Sequence, residues 1–279
     1  MAEIRDKNGL TEAEFLKAYK PGNYERPSVT ADIMVLGTSE DLSCLKLLLI
    51  RRGGHPYIGQ WALPGGFIEK DETAYQAAAR ELEEETGLTD VYLNQIYTFT
   101  KPGRDPRTWV MSIAYLALVS ELKQVQGLDD AADADWFDLR IADGKLRLEN
   151  QRLGVNIIYD IETKQFKNGR ILYDNWVATP VSKDRLAFDH IEIIIESILK
   201  LKAEFEHTDL AFNLMEDKFT LPDLQALYEL VLGKKLYKTN FRAMVQPKIQ
   251  PTGEKRKSII SNKMSAEYIY LPEKTEYVK

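Results

Sequence analysis

GFIEKDETAYQAAARELEEETGL, residues Gly66 to Leu88, carries the clearest structural signal in this 279-residue chain. Thr73 and Gln76 stand in capping-box spacing, a run of alanines follows, and Gly87 ends it, which predicts a helix over 73–87. Glu81, Glu84 and Glu85 fall at i, i+3 and i+4, so their carboxylates share one helical face. Like charges so placed repel by a few tenths of a kcal/mol per pair, and a purely structural helix would gain by dispersing them. Several hard oxygen ligands on one rigid element suit Mg²⁺ or Mn²⁺. Arg80, next in sequence, can offset the repulsion and orient one carboxylate. Just before the helix, Gly53, Gly54, Pro56, Gly59, Pro64, Gly65 and Gly66 crowd one stretch, which predicts irregular backbone that a ligand can approach closely. A main-chain carbonyl there, at Gly66, is a further candidate metal ligand.

Working outward, Glu12 lies in a short predicted helix over 11–20, and Val29–Leu36 and Leu45–Ile50 read as strands. After the carboxylate helix come strand-like runs at Val91–Thr100, Val110–Val119 and Trp136–Leu139, then an expected hairpin across Val155–Phe166. Strands around one or two helices predict an α+β domain over residues 1–180. From Lys183 to about Glu206 apolar residues recur at helical spacing, and helices are also expected at Leu221–Leu232 and Tyr237–Val245. Thr220 and Pro222 form a good start for the first of these two. The end of the chain reads as two strands around a basic turn, which gives a second, smaller domain over 181–279.

Composition narrows the setting. The hydrophobic share of 44% and charged share of 29% allow ordinary cores and carry no mark of disorder. A lone cysteine, Cys44, cannot form an internal disulfide, and no apolar run is long enough to span a membrane, so a cytoplasmic protein with no membrane partner is expected. Charge is unevenly spread. Between Lys234 and Lys263 nine Lys/Arg face only Glu254, a local balance of +8, which leaves −14 for the remainder of a chain of net charge −6. Such asymmetry suggests one acidic and one basic working surface. A basic stretch can also be a solvated face.

Gly66, Glu72, Arg80, Glu81, Leu82, Glu84, Glu85, Gly87 and Leu88 match the Nudix signature, G-x5-E-x7-R-E-U-x-E-E-x-G-U with U aliphatic, at every position. The resemblance implies a Nudix α/β/α sandwich, Glu81, Glu84 and Glu85 as metal ligands, and Arg80 and Glu72 as supports of the loop–helix–loop. It also implies hydrolysis of a diphosphate bond by metal-activated water. PGRDPRTWVMSIAYLALV, Pro102–Val119, resembles ADP-ribose pyrophosphatases and the ADP-ribose-sensing branch of the family. Arg104 and Arg107 are therefore candidates for pairing with the diphosphate or ribose, against a reading as surface arginines in a turn. Arg51 and Arg52 are similar candidates. Phe99 and Trp109 are candidates for stacking on adenine, although aromatics in strands are more often core. A general base separate from the helix is sought among Asp129, Asp130, Asp133 and Asp135. His55, His190 and His207 have no metal-ligand spacing.

The C-terminal part resembles a winged helix, in which Lys238, Thr239, Asn240 and Arg242 open the recognition helix and Lys255, Arg256 and Lys257 tip the wing. Asn and Arg are the side chains that read adenine and guanine edges. Winged helices also serve as protein-contact modules. Taken together, the chain resembles the Nudix-related transcriptional regulators of NAD metabolism and their sugar-responsive relatives. That implies double-stranded DNA as a partner and a homodimer, since palindromic half-sites need two recognition helices. Many of those regulators carry an eroded box, whereas this one is intact. The expected function is hydrolysis of ADP-ribose or a similar nucleoside diphosphate derivative, coupled to DNA binding. The alternatives are a sensing repressor without turnover, and a housekeeping hydrolase whose second domain dimerises or covers the site.

Overall fold

The computed structural model describes residues 4–20, 22–122 and 131–272. A short helix α1 (Glu12–Ala18), closed by a full capping box at Thr11, buries no residue. The chain then forms β1 (Ser28–Thr38), β2 (Leu45–Arg52), β3 (Trp61–Ala62), β4 (Gly65–Phe67), α2 (Ala74–Thr86), β5 (Tyr92–Phe99) and β6 (Val110–Leu118). There follow β7 (Ala131–Ala142), β8 (Lys145–Asn150), β9 (Val155–Asn168), β10 (Ile171–Pro180) and α3 (His190–Phe205). The last part holds β11 (Lys218–Thr220), α4 (Leu221–Leu232), α5 (Lys238–Val245), β12 (Ile249–Lys257) and β13 (Met264–Tyr270).

One mixed sheet runs in the order β10-β9-β8-β7-β2-β1-β6-β5, with β3 on β2 and β4 on β1, and β1 and β6 pair in parallel. The period-two alternation of β1 explains the layers. Ala31, Ile33 and Val35 point to one face and meet Ala77, Ala78 and Leu82 of α2. Met34 and Leu36 point to the other, where Ile193, Ile194, Ile198 and Leu201 of α3 cover them. A sheet between two helices is the α/β/α sandwich that the sequence predicts. The α3-side core is continuous with Phe219, Leu224, Leu227, Tyr228, Val231, Phe241 and Val245 of the small C-terminal unit. That unit, α4, α5 and the sheet β11-β13-β12, is a winged helix. Among the described residues no helix is long and apolar enough to cross a membrane.

Helices α2, α4 and α5 start and stop where the sequence places them, with Gly87 and Gly233 in left-handed caps. Three expectations need correction. Val155–Phe166 is not a hairpin but lies within the single strand β9, and the turn comes at Gly169-Arg170, where Gly169 takes φ +59°. Between Val155 and Phe166 there is no Gly or Pro, and Asn156 and Asp160 stand singly among β-formers, so the strand runs on. Helix α3 begins at His190 rather than near Lys183, because the segment before it gives its backbone to β3: Leu186 bridges Trp61, and the Ala187 N–H donates to the Trp61 carbonyl at 2.8 Å. Helix α3, which follows Pro180, packs on that sheet. Finally, Lys255, Arg256 and Lys257 do not tip the wing; they pair with Ala266, Ser265 and Met264 inside the β12–β13 ladder. The turn falls at 258–263 because Ser258 is buried and donates to Asp223 at the start of α4 at 2.8 Å.

Candidate functional site

A cavity of about 850 Å³ opens between the N-terminal half of β1, the loop ending in β4, α2, and the corner before α3. Its size suits a nucleotide-sized ligand. One wall is acidic. Gly65 takes φ +150°, and a side chain there would strike the Ala31 carbonyl, so the loop passes β1 only as glycine. A Cβ at Gly66 would overlap the Glu81 carboxylate, so this glycine cradles that side chain. The Gly65 N–H donates to Glu85 at 2.8 Å, tying the loop to the helix. Burial pushes the Glu85 carboxyl up to about 8; the Gly65 N–H opposes the shift, while Glu81 and Asp32 add to it. Burial likewise raises Glu81, against the pull of Arg80.

Arg80 donates to Glu72 at 2.7 Å, to Glu81 at 2.8 Å and to Glu84 at 2.9 Å, and reaches the Phe67 carbonyl at 3.2 Å. The Arg80 hydrogen bond holds Glu72 below its ordinary value. Arg80 and Glu72 thus brace the loop against the helix, as the motif implies. Among the described residues, no cluster of three or more carboxylate, His or Cys side chains stands close enough to hold a cation. The donor chemistry nevertheless fits a hard divalent ion: Glu81, Glu84 and Glu85 all line the cavity, two of them with charge that desolvation disfavours, beside the Gly66 cradle.

Cationic and aromatic side chains complete the lining. Arg52, Arg104 and Arg107 line the cavity, together with Phe67, Phe188 and His190. Arg107 is partly exposed, pairs with Asp105 at 2.7 Å, and stands 5.3 Å from the Phe67 ring and 5.8 Å from that of Phe188. Arg52 donates to the Pro56 carbonyl at 2.8 Å and lies 4.9 Å over Phe188. Arg104 is no surface arginine. Only 4% of its side chain is exposed, and its guanidinium forms a two-point bond to Asp189 at 2.7 and 3.0 Å with a longer contact, 3.4 Å, to Asp32.

His190 belongs to the same knot. It is buried, accepts the Leu63 N–H on Nδ1 at 2.8 Å, and brings Nε2 within 4.0 Å of Asp32. Burial pushes its imidazole below the ordinary value, with Asp32 and Asp189 opposing. Sequence reasoning missed Asp32, Asp189, Phe67 and Phe188. An acid inside the apolar run of β1 was the one available signal, for Asp32.

Three expected ligand contacts lie elsewhere. Phe99 is 9% exposed and sits in the core under α3. Strand alternation sends Arg51 to the other side from Arg52; it donates to Gly59 and lines a separate cavity with Asp133, Lys183 and Arg185. Trp109 lies outside the lining of the large cavity. Of the acidic stretch, Asp129 and Asp130 lie outside the described residues. Asp133 and Asp135 stand on β7, and Asp135 pairs with Arg152 at 2.6 Å; neither lines the large cavity.

In the winged helix, Lys238, Thr239, Asn240 and Arg242 are exposed on α5. Arg256 is committed: it pairs with Glu216 at 2.8 Å and bonds the Lys218 carbonyl. Lys234, Lys235 and Lys248 pair with Glu206, Glu229 and Asp209. Among the described residues Lys238, Arg242, Lys255, Lys257 and Lys263 make no ion pair, which leaves the cations of α5 and the β12 end facing solvent.

The sandwich and its carboxylate helix define a Nudix domain protein with an appended winged helix. Residues 26–155 match the NUDIX domain and residues 211–269 the NrtR DNA-binding winged helix domain. The chain belongs to the family of the ADPR responsive transcriptional repressor NtrR of Acinetobacter baylyi, with 30% identity over 237 residues, 84% of this chain and 78% of that one. Its fold is similar to that of a MutT/nudix family protein from Enterococcus faecalis, with TM-score 0.77 and 29% identity over 94% of each chain. It is also similar to Shewanella oneidensis NrtR complexed with a 27mer DNA, with TM-score 0.63 and 26% identity over 88% of this chain and 94% of that one.

Proposed function

We propose that this chain is a ligand-responsive DNA-binding regulator that takes ADP-ribose in the large cavity and retains metal-dependent hydrolysis of it. The observation that carries this reading is that the glutamates of the carboxylate helix and Arg52, Arg104 and Arg107 line one nucleotide-sized cavity, on a chain that ends in a winged helix. A diphosphate needs cations around it, and Arg107, part-exposed beside Phe67 and Phe188, is placed to bond it and to help sandwich a base. Glu81, Glu84 and Glu85, with the Gly66 carbonyl, would hold Mg²⁺ or Mn²⁺. When bound, such an ion neutralises phosphate oxygens and lowers the pKa of water for attack on the diphosphate. Attack of water on one phosphorus would form a new P–O bond as the P–O–P bridge breaks, giving AMP and ribose 5-phosphate, with the water proton passing to a cavity carboxylate not engaged by the ion.

The DNA half of the reading rests on the unpaired cations of α5 and of the β12 end, and a homodimer would present two such surfaces to one duplex. A sensor without turnover is the second reading, favoured by Arg80, which binds Glu72, Glu81 and Glu84 at once. The test is turnover of ADP-ribose with Mg²⁺ or Mn²⁺ by the full chain. We expect hydrolysis, and a loss of about a hundredfold or more in Glu84→Gln, as removal of a ligand to the ion should exceed the 10–100-fold cost of disturbing its supports. Tight binding with no turnover for either metal would select the sensor.

A further inference from the structure

Asp189 stands at the N-cap of α3, a position where aspartate is among the strongest capping residues, yet its side chain makes no capping hydrogen bond. Its carboxylate is given instead to Arg104 in the cavity wall. The neighbouring Phe188 takes φ +51°, unusual for a bulky residue, and its ring lies against Tyr57 at 4.7 Å and His190 at 5.4 Å. This corner is stapled to β3 through Ala187 and His190, so it cannot drift freely. The far end of α3 carries Phe205, 4.9 Å from the ring of Tyr228 on α4, which in turn meets Phe241 of α5 edge-on at 5.4 Å. Midway along the same helix the buried Ser197 Oγ has no hydrogen-bond partner among the described residues.

We propose that Asp189 is a two-position switch, held by Arg104 in one position and released to cap α3 in the other, which a diphosphate favours by taking the Arg104 guanidinium. The inference rests on the reading above that the cavity takes a nucleoside diphosphate derivative, and it names the regulation of that site. Arg104 has two carboxylates within reach, Asp189 and Asp32, so a ligand phosphate can displace the first while the second keeps the guanidinium in the wall. The freed carboxylate then accepts from the Ile191 N–H, since those of His190 and Glu192 already donate to the Ala187 and Asp189 carbonyls, and α3 shifts at its start. Because packed aromatic rings have few arrangements, that shift is passed through Phe205, Tyr228 and Phe241 to the recognition helix.

Hydrogen exchange of the full chain tests this without a DNA target, using ADP-ribose as probe and calorimetry to establish saturation. In the wild type, ADP-ribose should slow exchange in the first turn of α3 by about fivefold, the worth of a side-chain cap. Asp189→Asn and Asp189→Ala both loosen the Arg104 clamp, but only Asn can cap. The Asn variant should therefore show slow first-turn exchange without ligand, and the Ala variant fast exchange without ligand and at saturation, with the saturating concentration set for each by calorimetry. Equal exchange at 190–193 in free and saturated wild type would overturn the switch, as would Asn and Ala variants that behave alike. Where either variant does not fold, the wild-type comparison alone decides. Calorimetry that finds no ADP-ribose binding to the wild type would instead overturn the functional reading on which the switch depends.

Discussion

The two working regions of this molecule are built on opposite principles. In the Nudix cavity each charged side chain is defined by its partners: Arg80 by three glutamates, Arg104 by Asp189 and Asp32, Glu85 by the Gly65 N–H. On the winged helix the cations left unpaired are exposed, and only their spacing along α5 and β12 organises them. A buried charge without partners is costly, so the fold must decide where it goes; an exposed cation is left to whatever arrives. The cavity should thus answer to mutation through stability and chemistry together, and the basic face through binding alone.

The largest effect should come from Arg104→Ala. It leaves Asp32 and Asp189 buried without their counter-ion and should cost about 3–5 kcal/mol in urea unfolding. Lys257→Ala, on the exposed face, should stay within about 0.5 kcal/mol. Equal costs would erase the contrast between the regions.

Glu85→Gln sharpens it. The folded protein holds the Glu85 proton more tightly than an unfolded chain does, since burial lifts the carboxyl from 4.5 to about 8. Its contribution to stability is therefore full below 4.5 and is lost as pH rises toward 8. In chelator, the wild-type Tm should fall across that window by several degrees more than that of Glu85→Gln, as a thermal melt series will show. Parallel melting profiles would mean that Glu85 stays solvated.

Smaller effects are expected on the basic face, and they separate its parts. Asn240→Ala or Arg242→Ala should reduce discrimination among duplexes by about 1–3 kcal/mol for each lost base contact. Lys255→Ala or Lys257→Ala should weaken all duplexes alike, lowering the log–log salt slope by about 0.9 per phosphate contact in gel-shift titrations. Arg256→Ala should behave differently from its neighbours, since its guanidinium already serves Glu216 and the Lys218 carbonyl. A full salt-slope change for Arg256→Ala would show that this internal pair opens on DNA.

Local signals determined much of this protein from the sequence alone. The capping box and stop of α2, the carboxylates at i, i+3 and i+4, the Thr220-Pro222 start of α4 and the first turn of α5 are all written in residues within one or two helical turns of each other. Short-range hydrogen bonds and steric preferences act over that distance, so spacing suffices to read them. What required the tertiary structure was everything set by strand alternation and long-range pairing. Arg51 and Arg52 are adjacent in sequence, yet only the pleat of β2 sends one to each side. Phe99 became core because α3, about a hundred residues later, covers its face of the sheet. Arg104 and Asp189 are 85 residues apart, and no local pattern couples them. Only the packing of α3 across β1 brings these two charges together, where the low polarity of the interior obliges them to pair.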